Sequence, residues 1–157
     1  MRKRIVLYIL TALVATNCSC DEGKDMDSPV IMMNDSRAFP PNCATLYRGE
    51  QFEFRAVFTD NRALGNYNIE IHQNFDHHSH STGAEECPVD SVKTPHNPFV
   101  YNQSFAILGS PTYYEAVAGI AIPAEIDTGD YHFMVRLTDR AGWQQLAAVS
   151  VKIADRN

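Results

Sequence analysis

Imidazole is concentrated in one short stretch of this sequence. Residues 72–80, HQNFDHHSH, contain four of the six histidines in the chain and one aspartate. Imidazole nitrogens and carboxylate oxygens suit Zn²⁺ or Cu²⁺, and Ni²⁺ or Fe²⁺ would also accept them. A His-rich tract can instead be a polar loop whose side chains form hydrogen bonds within turns. The choice depends on whether a ligand from a distant part of the chain meets this stretch.

The segments that would position these histidines are short β-strands. Apolar and polar residues alternate along them, as in NYNIEIH (66–72), and no segment keeps a helical period over three turns. Strands of this length and spacing predict an all-β fold, an immunoglobulin-like antiparallel β-sandwich. In the letters of that fold, the predicted strands are A (29–34), B (50–58), C (66–72), C′ (99–108), E (114–123), F (130–139) and G (144–154).

Three local features favour this fold. A Gly-x-Tyr sequence ending in Tyr131 stands at the start of strand F, where a tyrosine corner occurs. DRAG (139–142) predicts a tight F–G hairpin, in which Gly142 takes positive φ and Asp139 caps the turn. Residues 73–112 are rich in His, Asn, Ser, Pro and Gly, which predicts a long His-rich insertion after strand C.

Strand register brings two distant histidines together. In an immunoglobulin-like sandwich, strands C and F are antiparallel neighbours in one sheet. The apolar residues of both strands must face the core, so alternation turns His72 and His132 outward on the same sheet. His72 ends strand C and His132 begins strand F, which makes them cross-strand neighbours with Cβ atoms roughly 4.5–5.5 Å apart. Two imidazoles 60 residues apart in sequence are thus predicted to meet.

The insertion begins at the same edge of the sheet and can supply further ligands. A site for Zn or Cu is therefore predicted there, with the ligands His72, Asp76, His78, His80 and His132. His77 is expected to point elsewhere, because adjacent residues rarely face one centre. His96 lies further along the insertion and is not included.

The turn between strands B and C contains Asp60-Asn61. Similar Asp-Asn turns in cadherin-like domains bind Ca²⁺ together with other loop oxygens. No Asp-x-Asp-x spacing, which many calcium loops use, accompanies this dipeptide. We therefore predict that Asp60 forms an Asx turn.

The first twenty residues, MRKRIVLYILTALVATNCSC, have the pattern of an export signal. Their apolar part, 5–14, is too short for a stable membrane span, which needs about 20 apolar residues. The segment ends in cysteine, as bacterial lipoprotein signals do. Cys18 and Cys20 both remain candidates for lipidation. We favour Cys20, because cleavage before it leaves Cys43 and Cys87 as an even pair, which is predicted to form a disulfide in an oxidising compartment.

This assignment divides the chain into a lipoprotein signal peptide (1–19), an acidic flexible tether (20–27) and the immunoglobulin-like domain (28–157). The lipid would make the membrane a partner, at the bacterial outer membrane or cell surface. A net charge of −6, with no Lys/Arg cluster after residue 4, argues against nucleic acid. The sequence has no Gly-x-Ser-x-Gly motif and no paired catalytic carboxylates, so we favour a protein that is not an enzyme. A metal with an open position would still permit hydrolysis.

Two motifs resemble an uncharacterised lipoprotein family of Bacteroidetes, the domain of unknown function 4625. They are IEIHQNFDHHSH (69–80) and GDYHFMVRLTDRAGW (129–143), and the resemblance extends over about residues 28–154. It implies a small β-sandwich lipoprotein and no particular activity. The residues themselves favour a lipid-anchored domain that binds a transition metal for capture, delivery or sensing. The alternative is a metal-free surface module that binds an envelope protein or a glycan.

Overall fold

In a computed structural model of the protein, residues 23–33, 35–78 and 87–156 are described. Both lipidation candidates, Cys18 and Cys20, and the predicted ligand His80 lie outside these ranges. Within them the chain forms strands and no helix, and hence no helix that could cross a membrane. The strands are β1 (Val30–Met32), β2 (Ala44–Tyr47), β3 (Gln51–Thr59), β4 (Leu64–Gln73), β5 (Tyr101–Ala106), β6 (Tyr113–Ala121), β7 (Gly129–Asp139) and β8 (Gln144–Ala154).

The strands form two sheets, in the orders β1-β3-β6 and β2-β8-β7-β4-β5. In immunoglobulin letters these are A-B-E and A′-G-F-C-C′, so the predicted all-β, immunoglobulin-like β-sandwich is confirmed. Strand β2, which pairs in parallel with β8, was not among the predicted strands. Its four residues are too few for an alternation to be recognised, and its place is set by a partner about 100 residues further along the chain.

Aromatic side chains from both sheets fill the core. The ring of Phe54 on β3 lies 5.6 Å from that of Phe133 on β7, and Phe58 lies 5.1 Å from Tyr67 on β4. The alternation read along strand C holds, with Tyr67 buried and its polar neighbours on the other face. Strand β7 differs, because nearly all of its residues are buried on both faces. It lies between β8 and β4, and other residues must therefore cover its outer face.

Two predicted turns at the ends of β7 are present. The hydroxyl of Tyr131 donates to the carbonyl oxygen of Asp127 at 2.6 Å, which is the tyrosine corner. At the other end, Asp139 Oδ1 accepts hydrogen bonds from the backbone N–H groups of Gly142 and Trp143, at 2.6 and 2.7 Å. Gly142 has φ of 95°, as the hairpin requires.

A disulfide attaches the connection between β4 and β5 to the residue that precedes β2. Cys43 and Cys87 are bonded, with Cα atoms 5.5 Å apart, as the cysteine count predicted. Cys43 immediately precedes β2, whereas Cys87 belongs to the segment predicted as the His-rich insertion. Part of that segment, 79–86, lies outside the described residues.

Candidate metal sites

Two outward-facing histidines lie side by side on neighbouring strands. His72 on β4 is the register partner of His132 on β7. Their ring centroids are 5.5 Å apart. The predicted cross-strand meeting of these residues is therefore confirmed. His132 is only 7% exposed although it faces away from the core, because the chain that follows β4 folds back over it.

A third imidazole comes from that returning chain. The ring of His78 lies 5.6 Å from the ring of His72 and 5.1 Å from that of His132, centroid to centroid. Nε2 of His132 lies 3.1 Å from the carbonyl oxygen of His78. A carbonyl can only accept, so Nε2 carries the hydrogen and Nδ1 of His132 carries the lone pair. We call His72, His78 and His132 the histidine cluster.

Carboxylates contact the other two rings of the histidine cluster. Nδ1 of His72 lies 3.0 Å from Glu70 Oε1, and Nδ1 of His78 lies 2.5 Å from Asp76 Oδ1. The contact of His78 is a hydrogen bond; because an ionised carboxylate accepts, Nδ1 of His78 is the donor and its Nε2 carries the lone pair. Carboxylates in this position orient histidine ligands and raise their basicity in metal sites.

The other aspartate and histidines that follow β4 have contacts of different kinds. Asp76, predicted as a ligand, contacts the ring of His78, and this hydrogen bond lowers the pKa of the Asp76 carboxyl. Nε2 of His77 lies 2.9 Å from the carbonyl oxygen of Asp90, so this ring is engaged elsewhere, as expected. The backbone N–H of His96 donates to Asp127. His80 lies outside the described residues.

In the residues that follow Cys87, polar contacts hold the β4–β5 connection against the sheet. The backbone N–H of Asp90 donates to Asp130 Oδ2 at 2.7 Å. Lys152 Nζ lies 2.5 Å from Asp90 and 3.3 Å from the largely buried Asp130. The hydrogen bond to Asp90 raises the pKa of Lys152. These contacts fix the loop close to the start of β7, where His132 lies.

A second group of ligands was not predicted. Asp25, Asp60 and Asp139 each offer an oxygen atom, and these atoms all lie within 4.8 Å of one another. Among the described residues this is the only group of three or more His, Cys, Asp or Glu residues that meets this distance. The rings of the histidine cluster would therefore have to rotate to bring three nitrogens onto one ion.

The positions of two of these three aspartates could be inferred from the sequence. Asp60 forms the predicted Asx turn, since its Oδ1 accepts from the backbone N–H groups of Arg62 and Ala63. Asp139 caps the F–G turn as predicted. Both turns belong to the same end of the sandwich, which their strand positions already implied. Asp25 was assigned to a flexible tether, and nothing in the sequence indicated that it packs against these turns.

The strand order and the tyrosine corner define the molecule as an immunoglobulin-like β-sandwich. The chain belongs to the family described as Domain of unknown function (DUF4625), whose model matches residues 16–154. It is similar to a solved structure described as "GspB Siglec domain", with 18% identity and a TM-score of 0.44. That alignment covers 84% of this chain and 60% of the other, and a likeness this distant does not bear on what this chain binds. A search of curated proteins found no match.

Proposed function

We propose that this domain binds a transition-metal ion, Zn²⁺ or Cu²⁺, through His72, His78 and His132, and serves in metal capture, delivery or sensing at the cell envelope. The observation that supports this proposal is the mutual distance of three imidazole rings, 5.1–5.6 Å between centroids. Imidazoles on a tetrahedral Zn²⁺ ion, with Zn–N bonds of about 2.0–2.1 Å, have centroids about 5.2 Å apart. The three rings therefore have the spacing of a three-histidine site, and their rotation would have to bring one nitrogen of each onto the ion.

The surroundings of the rings also favour a metal. Asp76 accepts from a ring nitrogen of His78, the His78 carbonyl accepts from a ring nitrogen of His132, and Glu70 lies 3.0 Å from Nδ1 of His72. In the rings of His78 and His132 the lone pair then lies on the second nitrogen, which is the form that ligates a metal. A fourth ligand would be water or His80, the predicted ligand that lies outside the described residues.

Attachment to the membrane is the second part of the proposal. The signal-like sequence before Cys20 supports a lipid on that residue, and the domain would then act at the outer membrane or the cell surface. Membrane fractionation of cells that express the wild-type chain and Cys20→Ala tests this. We expect wild type in the membrane fraction and the variant released from it. If Cys18→Ala is released and Cys20→Ala is not, the lipid is on Cys18. If both variants stay in the membrane fraction, the proposed lipid anchor is wrong.

Calorimetric titration of the purified protein with Zn²⁺ and with Cu²⁺ tests the metal site. We expect one ion per chain and a loss of at least about 100-fold in affinity in His132→Ala and in His72→Ala, since each removes one of three ligands. His96→Ala is the matched control, because its ring is not in the cluster. Circular dichroism of each variant confirms that the sandwich still forms.

Two outcomes would contradict the metal site. One is a folded protein that takes up neither metal at micromolar concentrations. The other is binding that His72→Ala and His132→Ala leave unchanged. Either result would favour the alternative, in which the loop over β7 is a metal-free surface for an envelope protein or a glycan.

A further inference from the structure

The aspartate group lies at the opposite end of the sandwich from the histidine cluster. Along the pairing of β4 with β7, His72 is opposite His132 near one end, and Leu64 is opposite Asp139 at the other. Asp60 lies in the turn between β3 and β4. Asp25 belongs to the segment that precedes β1. Three separate parts of the chain therefore bring their carboxylates to one point.

Two of these carboxylates each have an oxygen atom that none of the described residues contacts with a hydrogen bond. Oδ1 of Asp60 and Oδ1 of Asp139 cap their own turns. Oδ2 of each is buried and accepts no hydrogen bond from the described residues. Asp139 is only 4% exposed. Buried carboxylate oxygens almost always have a partner in folded proteins. The burial of these two oxygens therefore indicates that a ligand binds them.

The charge of the group points to the kind of ligand. None of the ion pairs among the described residues includes Asp25, Asp60 or Asp139. Oδ1 of Asp25 accepts from the Asn61 side chain at 3.1 Å, which is a neutral donor. Three carboxylates with oxygens within 4.8 Å of one another repel each other unless a cation lies between them.

We propose that Asp25, Asp60 and Asp139 bind a calcium ion. The donors are all oxygen, which suits hard cations and not the nitrogen-preferring metals of the histidine cluster. Calcium binds oxygen at 2.3–2.6 Å, so two ligands on opposite sides of the ion are about 4.8 Å apart. One oxygen atom from each of the three carboxylates lies within this distance of the other two. Water completes the 6–8 oxygen ligands that calcium takes.

Binding at this point ties the N-terminal segment to the sandwich. The carbonyl oxygen of Asp25 already accepts from Trp143 Nε1 at 2.9 Å, and Gly23 O accepts from Arg62 at 2.5 Å. A calcium ion adds a link from Asp25 to both turns. Residues 23–27 would then be held to the domain more firmly in calcium than by these two hydrogen bonds alone.

The fluorescence of Trp143 tests the proposal, because this is the only tryptophan in the chain and it contacts Asp25. The full chain is stripped with EGTA and titrated with CaCl₂ to about 20 mM. We expect a saturable emission change with a dissociation constant on the order of 10⁻⁴–10⁻³ M, as in extracellular calcium modules. Calcium should also protect the N-terminal segment from limited proteolysis.

Asp25→Asn and Asp60→Asn should each weaken calcium binding at least about 10-fold, because asparagine keeps the hydrogen-bonding oxygen and removes the charge. Asp25 lies outside the sheets, so its variant should fold as wild type does.

Asp155→Asn is the matched control, because Asp155 is an exposed partner of Arg48. His132→Ala should also keep the calcium response. The absence of an emission change at 20 mM calcium, or an unchanged response in both variants, would overturn the site. Equal or tighter binding of MgCl₂ would overturn its assignment to calcium.

Discussion

Removal of one hydroxyl group, in Tyr131→Phe, tests how the loop over β7 is held. The Tyr131 hydroxyl donates to the Asp127 carbonyl at 2.6 Å and accepts from the Phe99 backbone N–H at 3.1 Å. It therefore joins the β6–β7 turn to the end of the β4–β5 connection. Phe99 is 6% exposed, so water cannot replace the hydroxyl at its N–H group.

The expected cost is the sum of two losses. A buried N–H left without a partner costs about 1–3 kcal/mol, and the bond to Asp127 contributes about 0.5–1.5 kcal/mol. Tyr131→Phe should therefore lower the free energy of unfolding by about 1.5–4.5 kcal/mol. For a domain of this size, about 4 °C of Tm corresponds to each kcal/mol, which gives a fall of about 6–18 °C.

Urea denaturation followed by circular dichroism measures the effect. Tyr113→Phe is the matched control, because its exposed hydroxyl donates to Glu115 at 2.7 Å, and its loss should stay within about 0.5 kcal/mol. The slope of the transition should not change between the variants. A loss below about 1 kcal/mol in Tyr131→Phe, or an equal loss in Tyr113→Phe, would refute the reasoning.

The other two predictions concern the disulfide and alkaline pH. The double variant Cys43→Ser, Cys87→Ser should lose about 4 kcal/mol in urea denaturation, because the bond closes 44 residues of chain in the unfolded state; a loss below about 1 kcal/mol would contradict this. Burial raises the pKa of Tyr67 to about 12, whereas the unfolded chain titrates near 10. The native state thus holds a proton that the unfolded state releases, and stability should fall between about pH 10 and pH 12. Tyr67→Phe should reduce that fall, and an identical pH profile in the variant would count against the assignment.

The meeting of His72 and His132 could be predicted because it depends only on periodicity. Side chains in a strand alternate strictly between faces, so buried Ile71 and Phe133 fix the side on which their neighbours lie. The fold assignment then made the two strands neighbours and the end of one adjacent to the start of the other. No information about loops was needed.

Loop and terminal contacts could not be predicted in the same way. The direction of a loop side chain depends on individual backbone angles, such as the positive φ of 59° at His77. Asp76 therefore contacts His78, although the sequence favoured it equally as a direct ligand. Asp25 meets Asp139 across 114 residues, and no repeating pattern links an acidic terminal segment to a particular turn.

The two proposed sites differ in chemistry and in place, and the pairing of β4 with β7 sets the distance between them. Asp139 lies seven positions after His132 along β7, which corresponds to about 23 Å in an extended strand. The aspartate group holds the segment that follows Cys20. If Cys20 carries the lipid, as proposed, the sandwich is attached at its aspartate end. The histidine cluster then lies at the far end, where a soluble metal donor or acceptor can reach it.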